Sequence, residues 1–330
     1  MGHGPQISRR QVLGGLTAAG LGLAAPQAFA QGPGTYPHQI VRIVVPYPAG
    51  GATDTLARMM ASHLQTAWNQ TVIVENKPGA SGAIGNDMVA KVAPDGYTVL
   101  MAITAIVQIP PLMPNLPYDV MKDLQPLAQV ANTNSLLAVP KAAPFKDLKD
   151  FVTQVKANPR KFNYGSYGVG TSSHIQGSLL NMQAGLDLVH VPYKGAAPLL
   201  QDLRGNQLTA AFIDMATARP HLEAMKVLAV TGSKRNPTLP EVPTFAELGY
   251  QSFEPIGWFG LFMPAKVPAA IAARFAEESN RILRLPEVIQ RIEALGMMPG
   301  GMPTAEFAKV VRDDAAVYAR IIKDANIRLE

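Results

Sequence analysis

Six histidines, His3, His38, His63, His174, His190 and His221, are the side chains best able to bind a metal or move a proton near neutral pH. None of them stands in an H-E-x-x-H pair or another ligand spacing, so no metal site is expected. Cysteine is absent, which removes thiolate chemistry and disulfides and is compatible with an oxidising compartment. Ser166 has Tyr164 where a G-x-S-x-G nucleophile elbow needs glycine, and no Ser/His/Asp set can be placed from the sequence. There is no G-x-x-x-x-G-K-[ST] phosphate loop. Gly168-x-Gly170 has Ser173 where a dinucleotide fingerprint needs glycine. No catalytic residue, metal or cofactor is expected, and what remains is the chemistry of holding an anion.

Two stretches carry that chemistry. In the first, Arg42–Arg58, an apolar run ends in Pro46-Tyr47-Pro48-Ala49-Gly50-Gly51-Ala52, and Thr53-Asp54 opens a helical pattern. Thr53 or Asp54 is the expected N-cap. Gly50 and Gly51 can take positive φ and let backbone approach a ligand, leaving free N–H groups at the positive end of a helix dipole. A tight strand–helix turn is the plainer explanation of Gly-Gly. The second stretch, Gly165–Ser173, again feeds a helix N-terminus and adds four hydroxyls, from Ser166, Thr171, Ser172 and Ser173.

Neighbouring residues admit two roles each. His174 either donates to a carboxylate and braces the loop, or is a helix-start histidine satisfied by backbone. Asp54 lies four residues before Arg58, the spacing of a structural ion pair. Asp214 at a strand end either meets a ligand or caps the next helix. Tyr193-Lys194 either places a cation at a cleft rim or is solvated. Trp68 falls at core spacing, and Trp258 falls where the chain crosses between lobes.

The elements that position these loops alternate strand and helix. Strands are expected at 40–45, 71–75, 97–102, 127–131, 136–139, 162–164, 188–192, 208–213, 227–231 and 253–263. Helices are expected at 83–93, 145–157 and 174–184, after Gly195, from Asp214 through Glu223, and in a tail at 268–283, 287–295 and 303–323. Residues 103–119 read as irregular and proline-rich. The alternation implies parallel sheets with right-handed crossovers and ligands beyond the carboxyl ends of the strands.

The 330 residues suffice for two domains, and with 48% hydrophobic and 16% charged residues a core is easily buried. The formal charge of +5 is scattered, without basic clusters interleaved with aromatics, so nucleic acid is not an expected partner. Arg9-Arg10, a mild Gly/Ala-rich run and Ala28-Phe29-Ala30 form an export signal, cleaved after about Ala30. The paired arginines point to the twin-arginine route, with a Sec signal as the alternative.

The stretches PYPAGGATDTLAR (46–58), NKPGASGAIG (76–85), PDGYTVL (94–100), LPYD (116–119), YGSYGVGTSSH (164–174), VPYKGAAP (191–198) and GLFMPAKVP (260–268) resemble, in order, the receptor proteins of tripartite tricarboxylate transporters, the Bug family. The resemblance implies a two-domain α/β, periplasmic-binding-protein-like (type II) fold. Each domain would be a mixed, mostly parallel sheet flanked by helices, with the ligand cleft between domains. Domain 1 would be residues 31–133 plus 253–330, and domain 2 residues 134–252. It implies a monomeric periplasmic receptor, not an enzyme, that captures a small carboxylate of aromatic, dicarboxylic or amino acid type and delivers it to the membrane subunits of such a transporter. An exported hydrolase or transferase and a sensor feeding a kinase are the alternatives. The ligand-binding residues it implies are Ala49, Gly50, Gly51, Ala52, Thr53 and Asp54, then Ser166, Gly168, Gly170, Thr171 and Ser172, with His174, Tyr193 and Asp214 nearby. Ala49 replaces a proline of many members. Ala105-Ile106-Val107-Gln108-Ile109-Pro110 replaces a T-H-A-x-N-P segment, which points to a ligand with an apolar or aromatic body.

Overall fold

The computed structural model describes residues 1–2, 36–253 and 256–328. The expected export signal lies, from residue 3 onward, outside the described residues. The two sheets belong to one unit, Tyr36–Glu330.

The first sheet is nucleated by β1 (Val41–Val45), in which every residue but Arg42 is buried. Such a continuous apolar run suits a strand covered on both faces. β1 lies between β2 (Val72–Asn76) and β3 (Thr98–Ile103), parallel to both. The connections are α1 (Ala52–Trp68) and α2 (Ala83–Lys91). α1 buries Leu56, Ala57, Met60, Ala61 and Leu64, one helical stripe, and ends at Asn69 in the left-handed region at φ 50°. The sheet is completed antiparallel by β10 (Gly257–Pro264), β4 (Leu124–Thr133) and the two-residue β11 (Met298–Pro299), in the order β11-β4-β10-β3-β1-β2. The tail helices α9 (Ala269–Ile282), α10 (Pro286–Ala294) and α11 (Thr304–Asp324) cover it. Phe307 of α11 meets Trp258 and Phe262 of β10, and a Cβ at Gly260 would lie 2.3 Å from the Phe307 ring, so only glycine fits there.

The second sheet has the order β7-β6-β8-β5-β9. Its strands are β5 (Ser135–Pro140), β6 (Asn163–Ser166), β7 (Val189–Pro192), β8 (Ala210–Asp214) and β9 (Met225–Val230). The helices between them are α5 (Leu148–Lys156), α6 (Ser172–Ala184), α7 (Ala196–Arg204) and the single turn α8 (Met215–Ala218). Phe212, Phe245 and Phe253 stack in its core, the last two with centroids 4.1 Å apart. Asn134 alone separates β4 from β5, so the chain passes between sheets in one residue. Asn134 donates to the Thr231 carbonyl and accepts from Asn236, which ties the crossing to the chain as it leaves β9.

Both sheets are mixed and flanked by helices. The parallel share is smaller than the strand–helix alternation implies. Among the described residues, two of five strand pairings are parallel in the first sheet and two of four in the second. The antiparallel pairings belong to the strands that cross between lobes or run into a crossing, which must return against the βαβ direction. Other differences are local. The proline-rich segment contains α3 (Ala105–Gln108) and is followed by α4 (Val120–Asp123), and the helix expected after Asp214 is α8 followed by a 3₁₀ stretch to Ala224.

Candidate functional site

The loop after β1 is shaped by Asp54. Its Oδ2 accepts from the Gly50 N–H at 3.0 Å and from Arg58 Nε at 2.9 Å, and its Oδ1 accepts from Asn76 Nδ2 at 3.0 Å. Burial works to raise the carboxyl pKa, but these three donors and the guanidinium charge hold it below the ordinary value. The carboxylate therefore faces into the protein. The N-cap of α1 is Gly51, not Thr53 or Asp54, and it offers no side-chain cap. Asp54 instead reaches back from the third helical position to the residue before the cap, a variant of the capping box. The first-turn N–H groups of Ala52, Thr53 and Asp54 precede the first intrahelical bond, Thr55 N–H to Gly51 O, and so have no intrahelical acceptor. Gly50 has φ +86°, where glycine is needed, whereas Gly51 has φ −82°, open to any residue.

The second loop spends its hydroxyls on itself. Ser166 Oγ accepts from Gly168 N–H and bonds His190 Nε2 at 2.7 Å. Thr171 Oγ1 donates to the Gly168 carbonyl at 2.7 Å, and Ser173 Oγ accepts from Tyr167 N–H. His174 Nδ1 accepts from the Gly170 N–H at 3.2 Å, so the ring braces the loop through backbone. His174 stacks on His190 at 4.3 Å, and His190 stacks on Tyr164 at 5.0 Å. Burial lowers both imidazole pKa values to about 4, with the neighbouring His174 contributing at His190, so both rings are neutral near pH 7. His190 reaches this place because β7 pairs parallel with β6 in the register Tyr164↔His190.

The lobes touch through named contacts. Ser81 Oγ donates to the Val169 carbonyl at 2.7 Å, and Gln108 exchanges two hydrogen bonds with Ser172 Oγ, at 2.8 and 3.1 Å. Ala80 and Ser81 both sit at positive φ, 46° and 55°, in the turn that presents the Ser81 hydroxyl. Beside these contacts lies a cleft of about 950 Å³. Its first-lobe wall is Gly50, Gly51, Ala52 and Thr55, with Leu295. Its second-lobe wall includes Ala196 and Ala197 at the start of α7, whose N-cap Gly195 likewise has no side chain to offer. Two uncapped helix starts thus border one cleft. A cleft so lined can hold an anion by backbone N–H groups without a reacting side chain.

Residues 56–327 match the sequence profile of the tripartite tricarboxylate transporter family receptor. The chain belongs to this family. It is similar to the solved periplasmic binding protein BugD, with 30% identity over 89% of this chain and 100% of that one, at a TM-score of 0.83. A R. palustris structure with adipate is 31% identical over 89% of this chain and 99% of that one, at a TM-score of 0.84. MatC from Rhodopseudomonas palustris with bound malate is 30% identical over 87% of this chain and 100% of that one, at a TM-score of 0.82. Solved members of the family are periplasmic binding proteins, and this chain is, like them, a solute-binding protein and not an enzyme. No helix among the described residues is long and apolar enough to cross a membrane.

In this family member the sequence-predicted residues fall into separate groups. Gly50, Gly51 and Ala52 line the cleft. Ala49 is exposed on the same loop, while Thr53 and Asp54 are buried behind it. Ser172 lies where the lobes touch, Ser166, Gly168, Gly170, Thr171 and His174 belong to the same loop and helix start, and none of the six lines the cleft. Tyr193 turns its hydroxyl to Asp202, at 2.7 Å, and its pKa is pushed up to about 12 by burial and that carboxylate. Asp214 caps α8 through Thr217 N–H and accepts from the Tyr167 hydroxyl at 2.7 Å, so the capping role is the one observed. Lys194 is exposed and does not line the cleft. No motif in the sequence marks α7 as a wall of the cleft. Its cleft residues Ala197, Leu200, Gln201 and Arg204 follow the spacing of one helical face, a pattern that shows a face exists but not where it points.

Proposed function

We propose that this receptor captures a small carboxylate between its lobes and delivers it to the membrane subunits of a tripartite tricarboxylate-type transporter. The observation that carries the proposal is the uncapped N-terminus of α1, bordering the cleft with its own acid turned inward by Gly50, Arg58 and Asn76. A carboxylate is the natural acceptor for such N–H groups, through charge-assisted bonds and the helix dipole. Leu200, Ala196, Ala197, Ala216, Pro220 and Leu295 supply apolar lining, which suits an acid with an apolar body. The adipate and malate structures support the carboxylate class. A thermal-shift screen over mono-, di- and aromatic carboxylic acids tests it. A true ligand at a hundred times its Kd is expected to add ~2.7 kcal/mol of stability. A panel in which no acid raises the melting temperature would remove the proposal. For delivery, cells lacking this chain should lose uptake of the acid identified. Undiminished uptake would remove that step.

We further propose that residues 1–30 are an export signal on the twin-arginine route. The mature periplasmic protein should begin near Gln31, and replacing Arg9 and Arg10 by lysine should abolish its appearance there. Full export of that variant would exclude this route.

A further inference from the structure

The cleft has one charged residue in its lining, Arg204, and no acid. Asp202, two residues before it on α7, accepts from Tyr193, and Asp214 accepts from Tyr167 and Thr217. No described side chain pairs with the Arg204 guanidinium. Arg204 ends the cleft-facing stripe of α7, while Ala197 begins it at the end nearest the first lobe's loop. A cap contact confirms which end that is, since a Cβ at Gly195 would lie 3.5 Å from Pro48. With a rise of about 1.5 Å per residue, Ala197 and Arg204 stand roughly 10 Å apart along the helix axis. Between them the wall is Leu200 and the stem of Gln201.

We infer that Arg204 is a specificity-determining residue, selecting carboxylates that carry a second anionic group at the far end of an apolar body. This deepens the carboxylate-receptor proposal and rests on it. One carboxylate would meet the backbone N–H groups at the start of α1. The second would meet the planar fork of the guanidinium, which matches a carboxylate in two parallel hydrogen bonds. His221 and Thr217 also line the cleft. An unpaired arginine in an otherwise neutral cleft rewards a dianion and does nothing for a monoanion too short or too apolar to reach it.

The test compares acids of equal carbon number that differ only in the second carboxylate: adipate with hexanoate, and suberate with octanoate. Each is titrated calorimetrically into the wild-type mature protein, Arg204→Gln and Arg204→Lys. Arg204 is exposed, so neither variant disturbs the core. The wild type should bind at least one diacid roughly tenfold or more tightly than its monoacid partner, the effect of one charge-assisted contact. Arg204→Gln should lose that preference while its monoacid affinity stays unchanged, and Arg204→Lys should restore part of it. Diacid binding that is equal in wild type and Arg204→Gln would overturn the inference and leave the receptor proposal standing. A parallel loss for monoacids would also overturn it, because Arg204 would then act on the cleft in general. If none of these acids nor any other carboxylate binds the wild type, both proposals fall.

Discussion

Gly50→Val is expected to weaken carboxylate binding by roughly tenfold to a hundredfold, whereas Gly51→Ala should leave the fold intact and change affinity far less. The two glycines are adjacent and look equivalent in sequence. They differ in backbone. Gly50 sits at φ +86°, and a β-branched residue there costs ~1–2 kcal/mol or more in steric strain. No heavy atom lies within 4 Å of a Cβ built on it, so the effect comes from conformation and not from crowding. The strained loop would relax by releasing the Gly50 N–H from Asp54, one of the three bonds that keep the carboxylate turned away from the cleft. An Asp54 loosened at the start of α1 would compete with an incoming carboxylate for the same N–H groups and repel it. Gly51, at φ −82°, has its nearest contact to a new Cβ at 3.9 Å, the Pro48 carbonyl. Calorimetry on both variants, after circular dichroism confirms folding, separates the effects. Equal affinities for Gly50→Val and wild type would mean that the loop conformation after β1 does not govern binding.

The strand–helix order was legible where a buried strand is a continuous apolar run and its connections carry glycine, proline or asparagine. β1 and α1 are the clearest case. The loops at the helix starts were legible too, as places where backbone comes forward. What the hydroxyls do there was not legible. Ser166, Thr171 and Ser173 have the composition of an open cradle, yet each is consumed by a partner within the second lobe, and Ser172 by Gln108 across the lobe contact. Only the fold decides whether a hydroxyl meets its own loop or a ligand. The same holds for Arg204, which carries no local signal and matters because α7 turns one face to the cleft. His190 likewise gains its partners from the β6–β7 register, which brings it against Tyr164 and Ser166.

That histidine pair makes the second large prediction, a loss of stability in mild acid. His174 and His190 have folded pKa values of about 4 against an ordinary value of 6.5, mainly because they are buried. Between these values the unfolded chain binds more protons than the folded one, so stability must fall as pH falls. The contribution is fully present above pH 6.5 and is lost as pH drops towards 4. From pH 7 to pH 5 a buried ring with this shift loses ~2 kcal/mol, but His190 is partly exposed and part of its shift comes from His174, so the pair loses on the order of 2–3 kcal/mol, which for a chain of this size lowers the melting temperature by on the order of 5–10 °C. Asp54 does not confuse this window. Its folded pKa lies below the usual carboxylate value, so its contribution is lost only at lower pH. Protonation also reverses the local geometry, because an imidazolium presents an N–H at Nδ1 where His174 now accepts from Gly170, with a second charge stacked 4.3 Å away. The double variant His174→Asn with His190→Gln keeps an acceptor near each position without a titrating ring. Denaturation of wild type and double variant at pH 7 and pH 5 should show the acid loss in the wild type and a markedly flatter response in the variant. The same slope in both would place the acid sensitivity elsewhere and leave the stacked histidines as inert core.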